Sequence, residues 1–192
     1  MGLPTLPKPV KLFVALLSND PALFSLSHTH LRSQYGPIDL ESETFVWNMT
    51  DYYRKEMGEN LLRQFVTFER LIAPDALASI KLATNALEIS LSNGGSPTSP
   101  RRVNIDPGYV DATKLVLASA KNQAHRLYLS QGIYAEVTLL FYHGEFHPFV
   151  YTYPDYQWPE TYAFLRRVQQ HYRHQLRTFK KRDESRHRPA VT

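Results

Sequence analysis

The chain has 192 residues, 43% hydrophobic and 21% charged, which suits one folded domain with a sizeable core and argues against disorder. With no cysteine, a disulfide scaffold, a thiolate zinc site and a cysteine nucleophile are excluded. The net charge of +4 is uneven: residues 160–192 hold nine Lys/Arg against three Asp/Glu, and the remainder holds 13 against 15, so the basic character belongs to the C-terminal end.

In chain order, MGLPTLPKP over residues 1–9 reads as a flexible tail rather than a signal peptide, and Val10–Ser18 as a strand buried on both faces. Asp20 as N-cap, Pro21 at the first helical position and Gly36 at the end predict a helix over 21–35. On it His28 and His30 splay by about 200° and cannot chelate one metal together. ETFVWN (43–48) reads as a short strand, and DYYRKEMG (51–58) as a connector whose Tyr52 and Glu56 share a face if helical. LLRQFVTFERLI (61–72) alternates, with Leu62, Val66, Phe68 and Ile72 on one side and Arg63, Thr67 and Glu69 on the other.

Leu77, Ile80, Thr84, Leu87 and Leu91 step by three and four and mark a helix. SNGGSPTSP (92–100) is a loop. One more strand near residues 102–105 completes a ferredoxin-like βαββα(β) first part. Asp106-Pro107-Gly108 predicts a turn, since Asp accepts from the backbone ahead and Pro fixes φ. Alternatively it is a ligand loop. Asn104 and Asp106 alternate with Val103 and Ile105, so both polar groups project from one side of a strand end. A carboxylate there suits a cation, a ribose hydroxyl or, once desolvated, a base.

KLVLASA (114–120) and three strand-like runs, HRLYLS, IYAEVTLLFY and EFHPFVYTY, predict a C-terminal β-meander. A three-residue loop at Ser130-Gln131-Gly132 pairs Leu129 with Ile133, Leu127 with Ala135, Tyr128 with Tyr134 and Arg126 with Glu136. A two-residue turn at His143-Gly144 sets Phe141 against Phe146, Val137 against Val150 and Glu136 against Tyr151. Glu136 is then expected between Arg126 and Tyr151, with Tyr128 and Tyr134 close by: either an exposed ion pair among tyrosines or one wall of a pocket. Asp155 in YTYPDYQW sits at the edge of the same region. The last element, from residue 159, is an amphipathic helix with Leu165, Val168, Tyr172, Leu176 and Phe179 on one face. Residues 181–192 read as a disordered basic tail. The whole is an α+β domain over 10–180, a mainly antiparallel sheet with helices on one face.

The blocks TDYYRKEMG, RQFVTFERLIAPDALASIKLATNALE, VNIDPGY, LASAKNQAHRLYL, GIYAEVTL and YTYPDY resemble, in this order, those of an uncharacterised prokaryotic family catalogued as a domain of unknown function. Its members often carry the automatic label "GTP-binding protein". No glycine-rich loop ending in Gly-Lys-Ser/Thr and no Asn-Lys-x-Asp is present. ASAKN (118–122) does resemble the short Ser-Ala-Lys element that contacts guanine in GTPases.

Three functions are weighed. The first is a cytoplasmic protein that binds a small anionic ligand, with GTP or another nucleotide, with magnesium, as the candidate. Its site would use Asn104, Asp106, Lys121, Arg126 and Glu136, walled by Tyr128, Tyr134 and Tyr151. The second is an enzyme acting on a phosphorylated substrate, with Asp106 or Glu136 as acid–base and His125 as a further candidate. The third is association with RNA or the ribosome through Arg166, Arg167, Arg173, Arg177, Lys180 and Lys181. No metal site, no membrane span and no serine-nucleophile arrangement is expected.

Overall fold

The structure is a computed structural model and describes residues 2–49 and 54–186; Tyr52 and Tyr53, and residues 187–192 of the tail, lie outside the described residues. Strand β1 (Val10–Ser18) is buried along its whole length. Helix α1 (Pro21–Tyr35) follows, with the Asp20 side chain accepting from the Ala22 amide. Two short strands, β2 (Ile38–Glu41) and β3 (Phe45–Trp47), and one helical turn, α2 (Arg54–Met57), lead to the long β4 (Leu61–Ile72). Helix α3 (Leu77–Ser90) and β5 (Val103–Val110) complete a βαββαβ unit with strand order β2-β4-β1-β5, the ferredoxin-like arrangement expected from the pattern.

Four further strands extend this sheet to nine: β6 (Lys114–Ser119), β7 (Leu127–Ser130), β8 (Ile133–Tyr142) and β9 (Glu145–Pro148). Consecutive hairpins join β7, β8 and β9. Strand β6 lies on the other side of β8, rather than beside β7 as a simple meander would have it. Leu127 faces Ala135 and Tyr128 faces Tyr134, as the turn arithmetic predicts. The turn itself is tighter: Gln131 and Gly132 both take positive φ (52° and 76°), a bulge falls between Tyr128 and Ser130, and Ser130, not Leu129, meets Ile133. At the next turn Phe141 meets Phe146. β9 ends at Pro148, so Val150 does not reach Val137 and is fully exposed.

Cross-strand partners share a face, so the packing of β1 defines two layers. Leu12, Val14 and Leu16 pack under α1 and α3, with Leu23, Phe24, Leu31, Ile80 and Leu87. On the other face Phe13, Ala15 and Phe65 meet Tyr156 and Phe164, Leu165 and Val168 of the C-terminal helix α4 (Pro159–Arg186). The helices therefore cover both faces, correcting the one-face expectation: Phe164, Leu165, Val168 and Tyr172 need an apolar surface, and the outer face of the sheet supplies it. α4 continues past residue 181, the expected start of the tail. Residues 2–9 carry no regular element. Among the described residues no helix is long and apolar enough to cross a membrane.

The largest departure from expectation sits in β5. Asp106, Pro107 and Gly108 form no turn; they continue the ladder opposite Ala15, Val14 and Phe13 of β1. Strand pairing on a neighbour buried on both sides outweighs their turn preference. Gly108 is needed for another reason: a Cβ there would lie 2.2 Å from the Val116 carbonyl oxygen, where β6 crosses closest.

Candidate ligand-binding cleft

β5 and β6 are joined only at Gly108–Leu117, Tyr109–Val116 and Val110–Leu115. Beyond Gly108 they part, β5 staying on β1 and β6 following β8. The sheet is forked there. The N–H and C=O of Ile105 point into the fork with no strand to receive them. The Glu88 carboxylate accepts the N–H at 2.7 Å, and Lys81 donates to the carbonyl at 2.9 Å. Pro107, two residues on, faces the same gap, so its missing N–H costs no ladder bond.

The fork is the wall of a cleft of about 760 Å³. Asn104 and Asp106 line it from β5, and Leu117 to Lys121 from β6 and the segment after it. Lys81, Asn85 and Glu88 enter from α3, although α3 packs on the opposite face. Trp47, Met49, Arg63 of β4, Arg101, Gln123, His125, Arg126, Glu136 of β8, and Tyr151 to Tyr156 of the segment before α4 provide the rest, apart from Thr152. Five Lys/Arg and four Asp/Glu face this space.

The charges are organised as pairs. Arg63 meets Asp155 at 2.9 Å with both side chains almost fully buried, and Trp47 Nε1 donates to the same carboxylate at 3.3 Å. Arg126 Nε donates to Glu136 Oε2 at 2.7 Å, and Nη1 to Ser119 Oγ at 2.8 Å. His125 Nε2 lies 3.0 Å from the same Glu136 oxygen, its ring stacked on Tyr151 at 4.1 Å between centroids. Lys81 Nζ lies 3.1 Å from Asp106, which also accepts from Asn104. Arg101 grips Glu56 through two bonds at 2.8 and 2.7 Å and donates to Asn104 at 2.8 Å.

Burial pushes the Glu88 carboxyl up to about 7, Asp106 adding to the rise and Lys81, the Ile105 amide and Arg101 opposing it. Burial also acts to raise Asp106, but Lys81, Arg63 and the bonds from Lys81 and Asn104 outweigh it and hold the carboxyl below its ordinary value. Of these two carboxyls it is thus Glu88, not Asp106, that exchanges a proton near neutrality. Burial raises the Tyr156 phenol well above its ordinary value.

The residues singled out from the sequence divide cleanly. Asn104, Asp106, Lys121, His125, Arg126, Glu136, Tyr151 and Asp155 all line the one cleft. The Arg126–Glu136 pair is buried, so the exposed-pair alternative does not describe it. Tyr128 and Tyr134 lie outside: they pack edge to face on each other further along the same sheet face, and Tyr128 is exposed. Arg166, Arg167, Arg173 and Arg177 are exposed on α4, and none lines the cleft; the side chains of Lys180 and Lys181 lie outside the described residues. Among the described residues no group of three or more His, Asp or Glu is placed to hold a metal.

Arg63, Lys81, Glu88, Arg101 and Tyr156 were not expected there. One signal was available for two of them: Lys81, Asn85 and Glu88 step by four and three, a polar stripe beside the apolar stripe of α3.

The fold and the cleft define an α+β protein whose ferredoxin-like half and hairpin half enclose a polar, aromatic-walled site at their junction. The chain belongs to the family described as Domain of unknown function (DUF4416), whose model matches residues 8–172. No curated protein and no solved structure matches it.

Proposed function

We propose that this chain is a cytoplasmic binding protein for a small anionic ligand, and that a nucleotide, GTP foremost, fits the site best. One observation carries the reading. The fork gathers five Lys/Arg against four Asp/Glu, one of those acids held near neutrality, beside Trp47, Tyr151 and Tyr153 in a space of drug-ligand size. A net positive, aromatic-walled cleft suits a ligand that is part planar ring and part anion. Ser119, Ala120 and Lys121, the run that resembles a guanine-contacting element, form part of its wall. No P-loop is involved, so phosphate contact falls to side chains such as Arg101 and Lys121.

Thermal unfolding with GTP, ATP, GMP and pyrophosphate, each with and without magnesium, tests this. A ligand present at about 100 times its Kd adds ~2.7 kcal/mol, a clear rise in Tm. Unchanged melting with every nucleotide at millimolar concentration refutes the reading.

A further inference from the structure

Resting on that nucleotide reading, we propose that the floor of the cleft at Tyr156 is a subsite for the neutral, hydroxyl-bearing part of the ligand, the sugar of a nucleotide, while its anionic group stays at the rim by Arg101 and Lys121.

Tyr156 is 3% exposed, and its ring packs on Phe13 and Phe65 at the bottom of the cleft. Its hydroxyl has no hydrogen-bond partner among the described residues. A buried hydroxyl without a partner is costly, so a ligand group that reaches it recovers a bond the empty site lacks. The phenol keeps its proton at any physiological pH, which makes it a donor.

The charges around it exclude a bare anion. At this depth each cation already holds a carboxylate: Arg63 with Asp155, Arg126 with Glu136, Lys81 with Asp106. A phosphate entering would compete with three carboxylates in a poorly solvated space. A hydroxyl meets no such opposition. It accepts from Tyr156 or a guanidinium and donates to a carboxylate oxygen, so neighbouring hydroxyls on one ring use the floor without disturbing its neutrality. Towards the rim the balance changes. Arg101, itself paired with Glu56, and Lys121 are more exposed, and an anion there keeps part of its hydration.

Calorimetric titration of the full chain and of Tyr156→Phe with GTP, 2′,3′-dideoxy-GTP and pyrophosphate tests the assignment. Wild type is expected to bind GTP about tenfold more tightly than the dideoxy analogue. Tyr156→Phe should lose about tenfold for GTP while leaving the dideoxy analogue and pyrophosphate unchanged. Its Tm without ligand should equal or exceed that of wild type, since no bond within the protein is removed and an unpartnered buried hydroxyl is relieved. Equal affinity of wild type for GTP and its dideoxy analogue, or a Tyr156→Phe loss shared by all three probes, overturns the floor assignment and leaves the nucleotide reading standing. No binding of any probe overturns both.

Discussion

Two buried charge clusters lie on the same face of the sheet, and they differ in what surrounds them. At one end Lys11 reaches Asp39, the Phe68 carbonyl at 2.6 Å and Gln175 at 2.9 Å, so every ammonium proton is used. Asp39 also accepts from Thr67 at 2.7 Å and lies 3.0 Å from His171 of α4. None of these residues lines the cleft at the fork; they fix α4 to the sheet. At the fork, Arg63, Lys81 and Arg126 are bound to carboxylates just as firmly, yet they face open space. Burial and pairing therefore do not distinguish a site from a structural tie. What distinguishes them is whether polar atoms remain directed at volume that a ligand can fill.

The largest effect that tests this contrast comes from breaking one pair in each cluster. Asp155→Ala removes the carboxylate that holds Arg63 and should cost about 3–5 kcal/mol in urea unfolding. Lys11→Met should fall at the lower end of that range, because Thr67 and His171 remain on Asp39. With GTP present, Lys11→Met should keep the full ligand-induced rise in Tm and Asp155→Ala should lose most of it. An equal loss in both would erase the distinction.

A smaller effect concerns proton linkage at Glu88. Its folded carboxyl titrates near 7 against an ordinary 4.5, so the folded state holds the extra proton between those values. That contribution to stability is complete below about 4.5 and is lost as pH rises through 7. Asp106 has the opposite sign, its contribution being lost only as pH falls below the ordinary 3.8. Between about pH 5 and pH 8 the Glu88 slope amounts to roughly 3 kcal/mol at most. Glu88→Gln should remove it, and unfolding free energies measured across that range would show an unchanged slope if Glu88 were not responsible.

The smallest effect is expected at Tyr128. Exposed on β7 and outside the cleft, it should tolerate Tyr128→Ala within about 0.5 kcal/mol, with nucleotide-induced stabilisation unaltered. A loss of ligand response there would extend the site along β7.

Local pattern made the ferredoxin-like half legible. The continuous apolar run of β1, the capping residues of α1 and the three–four stepping of α3 are each short-range signals. Turn chemistry and face alternation were enough to set Tyr128 against Tyr134 and to bring Arg126 to Glu136. The one-residue error at Leu129 came from a bulge, which alternation alone does not reveal. Asp106-Pro107-Gly108 was misread because its preference as a tripeptide is for a turn. The partner that draws it straight, β1, is about ninety residues earlier in the chain. Arg63 and Lys81 were missed for a related reason. Each looks like an ordinary polar position on its own element, and only the parting of β5 from β6 brings them together.

Lys81 and Glu88 have a second consequence. A parted strand exposes backbone that invites another chain to add itself, the route by which sheets aggregate. By occupying both polar groups of Ile105, these two side chains deny an intruding strand its first hydrogen bonds. Two groups that line the gap are thus also ones that keep it closed to polypeptide.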